Sequence, residues 1–178
     1  MICAASYDSP VGEMLLAARD GALTGLWFQG QKHFPAAAET MIPQPDDPAL
    51  AAAARWLDRY FAGKRPAISD LTLAPAGSAF QKAVWAMLCE IPYGKLTTYG
   101  EIARQLAAQR GLPHMSAQAV GGAVGRNPIS VIIPCHRVVG ASGSLTGYAG
   151  GVDVKRRLLL HEGAYAGRLF VPGGRAAP

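Results

Sequence analysis

No stretch of this 178-residue sequence approaches the roughly 18 consecutive apolar residues needed to cross a bilayer, and the opening MICAASYDSPVGE lacks the basic and apolar blocks of a secretory signal. A cytoplasmic protein with no membrane partner is expected. Cysteine is scarce: Cys3, Cys89 and Cys135 are too few and too unevenly spaced for a disulfide framework, so each thiol needs its own explanation. His33, His114 and His161 show no ligand-like spacing with Cys3 or Cys89, so neither a metal site nor a cofactor is expected. Charged residues are sparse at 16%, but half of the residues are apolar. That balance excludes an intrinsically disordered chain and is enough to bury a core in one domain or two small ones.

The charge that is present is unevenly placed. Residues 1–74 hold six basic and eight acidic side chains, a net of −2, whereas residues 75–178 hold eleven basic and four acidic, a net of +7. A polyanionic partner such as nucleic acid would account for the asymmetry, because neutralising phosphates releases counterions; solvated surface charge accounts for it equally well.

The first part reads as strands and then a helix. Apolar-rich runs at Ile2–Tyr7, Glu13–Arg19 and Ala22–Phe28 are separated by DSPVG and by the Asp20-Gly21 turn signal, which predicts an antiparallel meander. Residues 29–47 carry three prolines and little periodicity, a surface connection. Pro48 behind Asp46 and Asp47 opens a helix whose Leu50, Ala53, Ala54, Leu57, Tyr60 and Phe61 recur at helical spacing up to Gly63. Ile68–Leu73 reads as a further strand, and APAG at 74–77 as a linker. The expected division is therefore an N-terminal α/β domain over 1–74, a second domain over 75–163, and a loosely held Gly- and Pro-rich tail over 164–178.

The second domain reads as mainly helical. Ser78 can cap a helix with Phe80, Val84, Met87 and Leu88 on its buried stripe; Cys89 near its end reads as a small hydrophobe. Thr98-x-x-Glu101 has capping-box spacing before a helix to about Gln109, and Ser116 opens a short helix over 117–125. Two short helices joined by a Gly-containing turn predict a helix-turn-helix. In the second helix, Gln118, Gly121, Gly122 and Gly125 share one face. Each glycine costs a helix roughly 1 kcal/mol relative to alanine, so the face implies close approach, either of a neighbouring helix or of a groove wall.

The chemistry centres on Pro134-Cys135-His136, which interrupts the apolar run from Ile129 to Val139. A proline inside such a run bends the chain there and suggests an accessible thiol. A thiol with pKa about 8.5 is only a few per cent thiolate at pH 7, and raising that fraction takes about 2 kcal/mol, which an imidazole can supply by taking the proton. Neighbours on an extended strand point to opposite faces, so Cys135 and His136 cooperate only if the bend or a water joins them. Glu162, in the helix opened by Asp153, is a candidate to orient the imidazole. Taken alone, a Cys-His pair reads first as one buried thiol beside one satisfied histidine.

Length and surroundings add to this. Asn127-Pro128, then IIPCHRVVG at 132–140, SLTGYAGG at 144–151 and the segment from Lys155 to Gly163 resemble the signature of the O6-alkylguanine-DNA alkyltransferases, and Pro-Tyr-Gly at 92–94 with Thr98-Tyr99-Gly100 extends the likeness upstream. The resemblance implies an α+β protein with a small antiparallel sheet and helix, ribonuclease H-like, followed by a helical domain with a winged-helix-like helix-turn-helix. It implies direct-reversal DNA repair: a monomer binds double-stranded DNA in the minor groove, flips out an O6-alkylguanine, and moves the alkyl group irreversibly to its own cysteine. Activity on O4-alkylthymine stays open. On matching positions Cys135 is the acceptor, His136 the water-mediated base, Glu162 its orienting carboxylate, Asn127 a hinge and Tyr99 a donor to the departing guanine. The backbone of Cys135, Val138 and Ala149 would read the base edge, with Tyr148 lining the pocket beside Gly150, and Lys155 among the DNA- or substrate-binding residues. Gln118 stands where most relatives carry an intercalating arginine, Arg126 is a candidate backbone contact, and Ser130 stands where some have proline.

The chemistry agrees with that implication. Displacing guanine from an alkyl carbon needs a soft nucleophile, the leaving base needs a proton donor, and flipping exposes an atom hidden in the stack. A DNA-binding helix-turn-helix protein without transfer would lack the reactive cysteine that Cys135 provides. A Cys-His acyl hydrolase would leave the glycine-faced helix unexplained.

Overall fold

The computed structural model describes residues 1–165 and 167–170. The chain forms two compact units, residues 1–77 with 128–133 and residues 78–127 with 134 onward. The sequence division at 74/75 is linear, whereas here the chain returns once to the first unit, because residues 128–133 pair with its sheet.

In the first unit, β1 (Cys3–Ser9), β2 (Gly12–Arg19) and β3 (Ala22–Phe28) form the expected meander. Its tight turns fall at Asp20-Gly21, both at positive φ, and at Gly12. A fourth strand, β4 (Ile42–Pro43), joins β1 in parallel, giving the order β3-β2-β1-β4. The connection over 29–47 thus contributes two residues to the sheet edge. There Pro43, which has no N–H to donate, is tolerated. Helix α1 (Pro48–Phe61) starts where Asp47 accepts from the amides of Ala49 and Leu50. It packs on β1 to β3 through Leu50, Ala53, Trp56, Leu57 and Tyr60. The strand expected over 68–73 is instead a 3-10 turn at Ile68–Asp70 followed by a single bridge from Leu73 to Leu23.

Residues 128–133 lie beside β3: Leu26 N–H donates to Pro128 O at 2.8 Å and Ser130 N–H to Leu26 O at 2.9 Å. The run then turns instead of continuing as a strand. Ile132 N–H donates to Ser130 O at 2.8 Å across Val131, whose φ is 68°. That is a γ-turn at a β-branched residue, a conformation that costs of order 1–3 kcal/mol and persists only when surroundings impose it.

In the second unit, α2 (Ala79–Leu88), α3 (Tyr99–Gln109) and α4 (Ala117–Gly125) pack together. Ser78 and Gln81 close a full capping box on α2. On α3, Thr98 Oγ1 accepts from Glu101 N–H at 3.1 Å, but Glu101 bonds Arg104 and Gln105, so only half of the expected box forms. Trp85 from α2 ties into α4 by donating to Ala123 O at 2.9 Å. Beyond them a parallel pair, β5 (Thr97–Thr98) and β6 (Val138–Val139), leads to α5 (Val152–His161). Val139, Leu145, Leu159, Ala164 and Leu169 form one buried cluster. Phe170 exchanges backbone hydrogen bonds with Gly143 and Leu145. The described part of the tail is therefore packed, contrary to a loose segment beginning at Ala164; positions 166 and 171–178 lie outside the described residues.

Candidate active site

Cys135 opens a 3-10 turn, Cys135–Arg137, instead of lying on an extended strand. The strand rule that would set Cys135 and His136 on opposite faces therefore does not apply. The thiol is also less accessible than a bend in the chain suggests, with a relative exposure of 6%. Burial pushes its pKa up, while a hydrogen bond with the Asn127 side chain and the charge of Lys155 pull it down. Asn127, itself buried, follows α4 directly, with its N–H donating to Val124 O at 3.2 Å.

His136 is fully buried, and its Nε2 stands 3.2 Å from Glu162 Oε1, at ion-pair distance though off the line of a good hydrogen bond. A carboxylate oxygen facing a ring nitrogen requires that nitrogen to carry the proton, which leaves the Nδ1 lone pair free. Among the described residues Nδ1 has no hydrogen-bond partner. Burial holds the imidazole below its usual pKa, with Arg137 and Lys155 pushing the same way and Glu162 opposing them, so at pH 7 it is an uncharged base. At the end of α5, burial works to raise the Glu162 pKa, but the interactions with His136 and Arg137 prevail and hold it at about 2.

Tyr99, the first residue of α3, donates from its hydroxyl to Thr146 O at 3.0 Å, and burial followed by the nearby Cys135 raises its pKa to about 12. Gly147 permits this approach: at φ 87°, a Cβ there would stand 3.0 Å from the Tyr99 hydroxyl. The glycine face of α4 points the same way. A Cβ on Gly121 would be 3.7 Å from the Tyr99 ring and one on Gly125 3.8 Å from Gly147 O, whereas Gly122 faces open space. Close approach of a neighbour thus accounts for Gly121 and Gly125, while the space beside Gly122 is open.

Lys155 departs most from its sequence assignment. Its side chain is fully buried, so it cannot meet a phosphate; Nζ donates to Val138 O at 2.6 Å and to Thr146 O at 3.4 Å and lies 6.0 Å from the Tyr99 ring centroid. Burial lowers its pKa to about 8, with Cys135 opposing. The Val138 carbonyl is thus already engaged, with one lone pair left for another partner. Tyr148 is buried, with Ala149 and Gly150 half-buried beside it. Gln118 and Arg126 are exposed at the first turn and C-cap of α4. Ser130 belongs to the first unit.

One buried residue carried no role in the sequence reading. Arg137 donates from Nε to both Glu162 oxygens at 3.1 Å and from Nη2 to Oε1 at 2.5 Å. Its signal was present: a lone charge inside the otherwise apolar VIIPCHRVVG.

Two family models divide the chain between them. The ribonuclease-like domain of 6-O-methylguanine DNA methyltransferase matches residues 2–75, and that enzyme's DNA-binding domain matches residues 79–164. A methylated-DNA–protein-cysteine methyltransferase of Methanosarcina acetivorans is 44% identical over 90% of this chain and 97% of its own. The chain belongs to the methylated-DNA–protein-cysteine methyltransferase family. A second relative with that name, from Mycolicibacterium paratuberculosis, is 46% identical over 88% of this chain and 90% of its own. The crystal structure of Mycobacterium tuberculosis O6-methylguanine methyltransferase superposes with a TM-score of 0.80 at 42% identity, covering 93% of this chain and 95% of that one. The same protein in complex with DNA gives 0.79 at 42% identity, over 93% and 94%. The methyltransferase fold accounts for both the strand meander and the helix-turn-helix read from the sequence.

Proposed function

We propose that this methyltransferase-family chain repairs DNA by direct reversal, moving an alkyl group from O6-alkylguanine to Cys135 once and irreversibly. One observation carries the reading: among the described residues, the thiol next to the buried imidazole is also the one beside a buried ammonium and a tyrosine hydroxyl. In the assigned roles His136, through water, takes the thiol proton while Glu162 holds its Nε2–H, and Asn127 and Lys155 favour the thiolate. Sulfur attacks the alkyl carbon, the C–O bond breaks, and the electron pair passes into the guanine ring. Tyr99 then gives up its bond to Thr146 O and donates to the departing base. The product is a thioether, which water does not hydrolyse, so no turnover follows.

DNA reaches the site through α4, with the open face at Gly122 against the minor-groove wall and Gln118 filling the gap left by a flipped base. Arg126 contacts the backbone, and the protein acts as a monomer. A reducing cytoplasm keeps the acceptor thiol intact until its single use.

Intact-mass measurement after mixing with a duplex containing O6-methylguanine tests this. The expected result is one methyl per chain, abolished by Cys135→Ala. Binding without mass change would refute transfer.

A further inference from the structure

The Ile91-Pro92-Tyr93-Gly94 segment, part of the family likeness, has no part in the roles above, yet the structure gives it one. Its backbone and ring seat Arg137. Nη1 donates to Ile91 O at 2.6 Å, and the guanidinium lies 5.7 Å from the Tyr93 ring centroid. Tyr93 itself donates to His161 O at 3.4 Å. Gly94, at φ 74°, leaves room for the Glu162 backbone, whose carbonyl oxygen would lie 3.0 Å from any Cβ there. The fork of Arg137 then closes on the Glu162 carboxylate, whose side chain has no solvent exposure. Oxygen Oε1 is shared: it takes Nη2 of Arg137 and faces Nε2 of His136.

We propose that Arg137, held by Ile91–Gly94, is a positioning residue that neutralises and aims Glu162 so that His136 stays uncharged and keeps a lone pair for the Cys135 proton. A buried carboxylate with no counter-charge would instead draw a proton onto the adjacent imidazole, making it unable to accept another. Arg137 prevents this while the oxygen it shares, Oε1, still faces the ring. The groups around His136 are few. Glu162 and Lys155 face it from α5, and Cys135 and Arg137 flank it on its own turn. Tyr99 from α3 faces Cys135, and Cys89 at the end of α2, with Glu90 beside it, faces Arg137. Of these, only Glu162 pulls His136 towards the charged form, and Arg137 is the cation bonded to it. The proposal rests on the reading of Cys135 as acceptor.

The experiment is the single-turnover transfer rate of the full chain on an O6-methylguanine duplex from pH 5.5 to 9.5, for the parent, Arg137→Met and Arg137→Lys. Loss of Arg137 raises the pKa of His136. Arg137→Met therefore moves the acid limb to higher pH, so that its loss of rate is greatest at the acid end, and is not slower than the parent at pH 9. Arg137→Lys, which keeps the charge but not the fork, falls between. Nitrogen-15 chemical shifts of His136, followed across the same pH range, report protonation of the ring at higher pH in Arg137→Met than in the parent. An unmoved acid limb, or an equal loss at pH 6 and pH 9, overturns the proposal. If Arg137→Met does not fold, Arg137→Met with Glu162→Gln removes both charges, and its acid limb is expected at or below that of the parent; a limb above it also overturns the proposal. A parent that gains no methyl mass refutes the transfer reading, whereas a competent parent with unmoved limbs refutes only the role of Arg137.

Discussion

Replacing Lys155 by methionine tests what a buried cation costs this fold. The ammonium is fully buried, and its pKa falls from 10.5 to about 8, which corresponds to about 3 kcal/mol held against the charged form in the folded state. Below pH 8 lysine is protonated in both folded and unfolded chains, so the whole penalty applies. Between pH 8 and 10.5 the folded chain releases its proton first, the unfolded chain binds more protons, and stability rises with pH. Methionine fills a similar volume without charge. It removes the 3 kcal/mol penalty but leaves Val138 O without the donor now at 2.6 Å, a loss of about 1–3 kcal/mol. The two nearly cancel, so Lys155→Met is expected between neutral and about 2 kcal/mol more stable at pH 7.

The assay is urea denaturation at intervals from pH 7 to 10.5 with Cys135→Ala as the parent, because the Cys135 thiol, when ionised, raises the Lys155 pKa. The parent should gain stability as pH rises towards 10.5, from a lower starting pH than with Cys135 present, and the lysine variant should lack that gain. With Cys135 intact, the same substitution should slow alkyl transfer, since Lys155 lowers the thiol pKa. Two results would refute the reasoning: a destabilisation of about 3 kcal/mol or more at pH 7, which makes the cation a net support of the fold, or no pH-dependent difference between parent and variant.

Gly122→Ala is expected to stabilise the protein by about 1 kcal/mol, because its Cβ meets nothing and alanine is the better helix former; DNA affinity should fall in a binding titration if that face meets a groove wall. Gly147→Ala should slow transfer more than it weakens DNA binding, since its Cβ would press on the Tyr99 hydroxyl while the positive φ adds strain; equal losses in both measurements would contradict this. Thr98→Ala should cost about 1 kcal/mol in thermal or urea unfolding, whereas Glu101→Ala should leave stability unchanged, because only the threonine half of the capping box forms.

These predictions follow the line between what the sequence disclosed and what required coordinates. Strands β1 to β3 and helix α1 were legible because Asp20-Gly21 and Asp47-Pro48 are strong local signals that tertiary contacts reinforce. Strand β4 was not, since two residues carry no periodicity and Pro43 argues against a strand until an edge position excuses it. The residues assembled around Cys135 were legible through resemblance, but the burial of the charged side chains among them was not. Lys155 lies in the run VDVKRR, which looks like a basic surface, yet Lys155, Leu158, Leu159 and Glu162 recur at i, i+3, i+4 and i+7. That spacing puts the lysine on the apolar stripe, and it is buried there with both leucines. Arg137 stands in the same relation to its apolar neighbours. Two of the basic residues that seemed to face a polyanion are thus turned inward, where one lowers the pKa of a thiol and the other balances a carboxylate. Net charge counts side chains regardless of direction, and in this chain it was periodicity that held the missing information: a charge in phase with a buried stripe must find its partner inside the protein.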